Sequence, residues 1–163
     1  MKLLAVQGIL VLFLVSNSLQ AQSASYSITN WKLSCTGHPR WGKSWQPKLV
    51  AKTLPKLGGR LQLETDFPTA PYGIVLLFTG VSDKKFGTLK LPLNPSTFLR
   101  GVWCGQLMTS VDIMTPAGGT VWFPIPNDRG LIGLRFFQQT FQTYNVSPGQ
   151  FSLSALGVGV IGT

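Results

Sequence analysis

Two carboxylates, Glu64 and Asp66, have a spacing that would permit acid–base chemistry on a glycosidic bond. They lie two residues apart in the alternating stretch RLQLETD, and a β-strand places such residues on one face, about 6.5 Å apart along the backbone. Arg60 and Gln62 would share this face, which is typical of an ordinary solvated strand surface. A small secreted glycan hydrolase that uses Glu64 and Asp66 is therefore the alternative function.

Other kinds of catalytic centre have little support in the sequence. His38 is the one histidine and lies among Gly and Pro residues, and no serine lies in a G-x-S-x-G nucleophile elbow. The sequence contains no phosphate-binding, dinucleotide-binding or calcium-binding motif. Two Cys and one His at scattered positions do not complete a zinc tetrahedron. We therefore expect a non-catalytic protein with no cofactor and no metal.

The segment from Ser34 to Arg60 combines cations with aromatic rings. Every charged residue in it is Lys or Arg, and the whole chain has 14 Lys and Arg against 5 Asp and Glu, a formal charge of +9. If the chain stays extended, Lys48, Lys52 and Lys56 lie on one strand face. Exposed Trp beside cations is typical of contacts with sugar rings or acidic surfaces. The candidate binding residues are Trp41, Lys43, Trp45, Lys48, Lys52, Lys56 and Arg60.

The same lysines have an explanation that needs no ligand. Pro47 and Pro55 lie in this segment, and proline is confined to edge strands because it has no N–H to donate to a ladder. Lysines on an edge strand discourage edge-to-edge aggregation. Nucleic acid would be attracted by the same charge, but the aromatic residues are not arranged as a stacking platform, so we do not expect it as a partner.

The chain begins like a secretory leader. Lys2 precedes an apolar run over residues 3–15, and small and polar residues follow, with candidate cleavage sites between 21 and 24. The run is short for a membrane anchor, which is the alternative, and no later run is long enough to span a bilayer. We therefore expect a signal peptide over 1–21, no membrane span in the mature chain, and a secreted, cell-surface or periplasmic location.

Two cysteines, Cys35 and Cys104, remain after removal of this leader. An even pair in an oxidising compartment favours one disulfide, and two unpaired buried thiols are the alternative.

Apolar residues recur with period two along most of the chain, and Gly and Pro interrupt it roughly every ten to fifteen residues, which leaves no room for a long helix. The sequence predicts an all-β fold, a single antiparallel β-sandwich of about eight strands over residues 25–163, either a jelly roll or immunoglobulin-like. The predicted strands are 60–65, 72–78, 101–114, 120–125, 131–144 and 151–161, with weaker ones at 26–33, 48–54 and 86–91.

Several short motifs, taken in order, resemble a group of short exported bacterial domains of unknown function. The motifs are Cys35-Thr36-Gly37, Pro47-Lys48-Leu49, Pro55-Lys56-Leu57-Gly58, Leu91-Pro92-Leu93, Trp103-Cys104, the block from Ile125 to Gln139, and Ile161-Gly162. The resemblance implies a disulfide-linked β-sandwich and supplies no substrate. The lysine-rich segment departs from the typical member.

We therefore expect a non-catalytic, secreted β-sandwich that acts by contact. The expected partner is an anionic polysaccharide or a cell-surface component, or further copies of the chain joined through edge strands. The apolar, glycine-rich segment 156–162 is either an ordinary final strand or a strand donated to a neighbour.

Overall fold

The computed structural model describes residues 22–29, 35–36, 47–66, 73–97, 100–143 and 150–163, so the predicted signal peptide lies outside the described residues. Within them the protein is all-β, with thirteen strands, two short 3-10 helices and no α-helix. The strands are β1 (Ser25–Thr29), β2 (Cys35–Thr36), β3 (Lys48–Ala51), β4 (Arg60–Asp66), β5 (Val75–Gly80), β6 (Lys85–Phe86), β7 (Leu89–Lys90), β8 (Val102–Cys104), β9 (Ile113–Pro116), β10 (Thr120–Pro124), β11 (Arg135–Thr143), β12 (Gln150–Leu153) and β13 (Leu156–Val160).

Strand β11 is the centre of an eight-stranded sheet. One of its edges pairs with β5, which pairs in turn with β9. Its other edge pairs first with β13 and then with β12; β1 lies beyond β13, and β8 and β2 lie beyond β12. Among the described strands every pairing is antiparallel except that of β12 with β8.

A smaller sheet of three strands, in the order β10-β4-β3, packs against one face of the large sheet. Alternation along β4 explains this, because Leu61 and Leu63 are completely buried while Gln62 between them points outward. They share one apolar cluster with Leu49 and Val121 of the small sheet and with large-sheet residues, among them Tyr26, Val75, Leu77 and Phe136.

The opposite face of the large sheet is covered by residues of the segments 91–97 and 105–111 instead of a third sheet. Leu91 and Leu107 from these segments pack with Phe78, Phe141 and Leu153 of the large sheet. Met108 packs similarly with Phe137 and Leu156 of β11 and β13. The large sheet is therefore covered on both faces, which explains why β11 is buried along most of its length.

The prediction of an all-β fold is confirmed, but the strand pattern is finer than the sequence predicted. The predicted strand 86–91 is a hairpin of β6 and β7. The predicted strand 101–114 divides into β8 and β9, and 151–161 divides into β12 and β13 at Ser154. The Ser154 hydroxyl accepts a hydrogen bond from the Thr140 amide at 2.8 Å, so a side chain replaces a ladder bond at this break.

Candidate functional site

The solvent side of the three-stranded sheet gathers most of the described candidate residues. Its inward side chains form the core, so the alternate residues of β3, β4 and β10 point to solvent. We call this surface the outer face; it consists of Lys48, Val50, Lys52, Arg60, Gln62, Glu64, Asp66, Thr120, Trp122 and Pro124.

The strand register orders these residues into rows across the sheet. Trp122 lies opposite Gln62, and Lys52 donates its amide to the Gln62 carbonyl at 2.8 Å on the other side. In the next row Glu64 lies between Val50 and Thr120. Because neighbouring strands lie about 4.8 Å apart, each row spans about 10 Å, the size of one or two sugar rings.

Trp122 is the aromatic centre of this surface. Its neighbours along β10, Val121 and Phe123, point into the core, which forces the indole outward, where 53% of the residue is exposed. The indole therefore offers a large apolar ring on an otherwise polar strand face. Such a ring stacks well on the apolar side of a sugar.

The charges on the outer face are largely matched. Lys52 Nζ lies 2.8 Å from Glu64 Oε2, with both side chains just under half exposed. Lys48 lies directly opposite Asp66 in the β3–β4 ladder. The outer face therefore has two cations that each lie beside a carboxylate, and one further cation, Arg60. Its net charge is only weakly positive.

Glu64 and Asp66, the carboxylates of the hydrolase hypothesis, line one shallow groove of about 390 Å³. Lys48 and Thr120 line it as well, from the neighbouring strands. The groove is large enough for a small polar group, but the Glu64 carboxylate is already engaged by Lys52.

The predicted lysine strand is interrupted after Lys52. Strand β3 ends at Ala51, and the Thr53 hydroxyl then accepts from the Gln62 amide and donates to the Arg60 carbonyl, both at 2.7 Å. Beyond this bend Lys56 forms a parallel bridge with Gly162 at the end of the large sheet. The chain is therefore not extended from 48 to 56, which was the condition for Lys48, Lys52 and Lys56 to lie on one strand face.

Trp41, Lys43 and Trp45, the other predicted binding residues, lie outside the described residues, as does His38. Conversely, Trp122 belongs to the outer face but was not predicted as a binding residue. Its stretch TVWFP is apolar at three consecutive positions, so the sequence alone does not separate the buried rings from the exposed one.

Within the described ranges, no group of three or more His, Cys, Asp or Glu side chains could hold a metal ion. In the same part of the chain no helix has the length and apolar character needed to cross a bilayer. The chain matches no protein-family model, no curated protein and no solved structure. Its resemblance to exported bacterial domains stays a prediction.

Proposed function

We propose that this protein is a non-catalytic, exported β-sandwich that binds a glycan of low negative charge through its outer face. The observation that carries the proposal is the exposed indole of Trp122 in a row with Gln62 and Lys52. An aromatic ring supplies stacking area, and the amide and ammonium groups beside it supply hydrogen bonds to hydroxyl and carboxylate oxygens.

The charge balance supports a sparsely charged glycan better than a highly sulfated one. Lys48, Lys52 and Arg60 are accompanied on the same face by Glu64 and Asp66. Closely spaced sulfates would meet these carboxylates, and like charges brought together in an interface cost binding energy. A glycan with an occasional carboxylate can approach the cations and avoid the acids.

The proposed sandwich is supported by the apolar cluster that joins the two sheets. We also propose a Cys35–Cys104 disulfide, since the two residues lie directly opposite each other in the β2–β8 pairing and Cys104 is completely buried. A bridge that closes a loop of about 70 residues would stabilise the fold by about 4 kcal/mol in the chain-entropy model.

The binding proposal is tested by Trp122→Ala, measured by isothermal titration against uronic-acid-containing polysaccharides. Loss of a central aromatic anchor costs about 2 kcal/mol, which is about thirtyfold in affinity. Ile74→Ala is the matched control, because Ile74 is more exposed than Trp122 but lies outside the small sheet. Equal affinities of the two variants would refute the proposal.

A hydrolase remains the second candidate, because Glu64 and Asp66 line the same groove. Release of reducing ends from a bound polysaccharide, abolished by Glu64→Gln, would establish it.

An assembly role is supported by β9, which among the described strands pairs with β5 alone and exposes Ile113 and Met114. Exposed apolar residues on an edge strand are typical of self-association. Sedimentation velocity distinguishes this role: Ile113→Lys should abolish any polymer, and a wild-type monomer at all concentrations excludes it.

A further inference from the structure

A second surface, formed by β6 and β7, has no part in the proposed glycan site. These strands form a two-stranded sheet in which Lys85 lies opposite Lys90 and Phe86 lies opposite Leu89. The turn between them depends on Gly87, whose φ of 58° is in the left-handed region. Because side chains alternate along a strand, the lysines lie on one face of the β6–β7 hairpin and the two apolar residues on the other.

Both faces of the β6–β7 hairpin present exposed side chains. Phe86 and Leu89 are 37% and 43% exposed. Lys85 and Lys90 are exposed as well, and a like-charge pair directly across a ladder is destabilising. Within the described residues, no carboxylate forms an ion pair with these lysines or with Lys84.

The base of the hairpin is firmly held. The Leu91 amide donates to the Lys84 carbonyl at 2.9 Å, and Leu91 is buried in the core on the covered face of the large sheet. The Ser82 hydroxyl accepts from the amides of Lys84 and Lys85 at 3.2 and 3.1 Å. The cations and apolar side chains are therefore presented on an ordered projection.

We propose that the β6–β7 hairpin docks on an anionic lipid bilayer. Phe86 and Leu89 enter the boundary between headgroups and acyl chains, while Lys84, Lys85 and Lys90 contact lipid phosphates. Amphipathic helices that lie in a membrane interface combine a basic face with an apolar face in the same way. The positive charge of the hairpin is complementary to the negative surface of such a bilayer.

A bilayer fits the hairpin better than an acidic polysaccharide does. Three lysines would serve either partner equally, and the Phe86 ring would stack on a sugar, but the exposed Leu89 beside it gains more free energy from burial among acyl chains than against a hydrated polysaccharide. An anionic bilayer binds both the lysine face and the apolar face, because buried apolar area and charge each contribute to interfacial binding.

The test measures cosedimentation of the full chain with phosphatidylcholine vesicles, with and without phosphatidylglycerol. Binding is expected only to the anionic vesicles. Each lysine near the surface contributes about fivefold in affinity, so Lys85→Gln with Lys90→Gln should weaken binding about 25-fold. Phe86→Ser with Leu89→Ser should weaken it by a similar factor. The charge-matched control, Lys48→Gln with Lys56→Gln, should bind like the wild type.

The other outcomes overturn the proposal. Equal binding to neutral vesicles excludes the electrostatic contribution, and equal losses in the control double variant show that only overall charge matters. Retention on heparin that is lost with the lysines but not with Phe86 and Leu89, without vesicle binding, assigns the hairpin to a polysaccharide. With respect to folding, the lysine double variant removes only a repulsive pair, so we expect it to fold. It therefore still tests the proposal if the apolar double variant does not fold. Trp122→Ala should leave vesicle binding unchanged, which separates this surface from the glycan site.

Discussion

Lys52, which follows β3, and Glu64 of β4 form an ion pair, with 2.8 Å between Nζ and Oε2. One residue comes from the candidate binding segment and the other from the candidate pair of catalytic carboxylates, so the two hypotheses concern a single surface. Because both side chains are nearly half exposed, the pair contributes little to stability, about 0–1 kcal/mol. Its main effect is that the Glu64 carboxylate partly neutralises the Lys52 ammonium and so weakens the attraction of Lys52 for an anionic ligand.

Glu64→Gln should therefore strengthen binding of an anionic glycan to the outer face. The substitution frees Lys52 and removes a repulsive carboxylate, and we expect a gain of about twofold to fivefold at low salt that disappears at high salt. Affinity electrophoresis in gels containing the polysaccharide measures this change. Lys56→Gln is the control and should have no effect, because Lys56 lies beyond the bend. Weaker binding by Glu64→Gln would show that the carboxylate itself contacts the ligand.

Gly157 and Gly159 in β13 should not tolerate a methyl group. A Cβ at Gly159 would collide with the Phe136 ring, and one at Gly157 with the Tyr26 hydroxyl and Leu49. Gly159→Ala should destabilise the fold by about 1–3 kcal/mol, as overpacking does in other cores. Urea denaturation measures this loss.

Gly118→Ala is the matched control for this prediction, since a Cβ at Gly118 meets nothing within 4 Å. Its stability should stay within about 0.5 kcal/mol of the wild type. If both variants lose the same stability, close packing of Phe136 and Tyr26 against β13 is not the cause of the loss in Gly159→Ala.

The period-two pattern predicted the small sheet well. Leu61 and Leu63 alternate with polar residues, and both lie in the core while Gln62 and Glu64 face outward. The prediction succeeds because one face of β4 is exposed to solvent, so that polar residues are exposed and apolar residues are buried.

The same reasoning fails for β11, where Gln138, Gln139, Thr140 and Gln142 are all buried. A glutamine is expected at the surface unless distant partners satisfy its amide, and the sequence does not show which partners the fold will bring. At the candidate site, Trp122 was missed for the opposite reason. An apolar side chain on a strand is expected in the core, but of these three residues only Val121 and Phe123 pack into it.

Stability should fall at high pH because of Tyr26. Its hydroxyl donates to Gln138 Oε1 at 3.0 Å, and burial raises the pKa of Tyr26 well above its ordinary value of 10.0. Above that pH the unfolded chain loses the phenol proton while the folded chain keeps it, so ionisation favours unfolding. This contribution to stability is fully present below about pH 10 and is lost progressively as the pH rises further.

Tyr26→Phe tests this assignment by comparing the free energy of unfolding of the two proteins from neutral to alkaline pH. Near neutral pH the variant should be about 1 kcal/mol less stable, because Gln138 Oε1 loses its donor. Above about pH 10 the gap should narrow, since the variant lacks the titrating group. A gap that stays constant with pH would show that Tyr26 does not cause the alkaline loss.

Gln139 should be among the most sensitive positions in the protein, although it is polar. It is completely buried; its Nε2 donates to the carbonyls of Gln106 and Ser154 at 2.8 Å each, and its Oε1 accepts from the Met108 amide at 3.0 Å. The side chain thus joins β11 to the segment covering the sheet and to the break between β12 and β13. Gln139→Leu keeps the volume but leaves these backbone groups unpaired, each at about 1–3 kcal/mol, so a loss above about 3 kcal/mol is expected.

Thermal and urea unfolding measure the loss in Gln139→Leu, and hydrogen exchange at the Met108 amide locates it. Gln62→Leu is the control, because Gln62 is a partly exposed glutamine on the outer face of β4. Its stability should change by less than about 0.5 kcal/mol. If Gln139→Leu is as stable as Gln62→Leu, the backbone groups have found other partners, and the buried amide is not what fastens the segment 105–111 to the sheet.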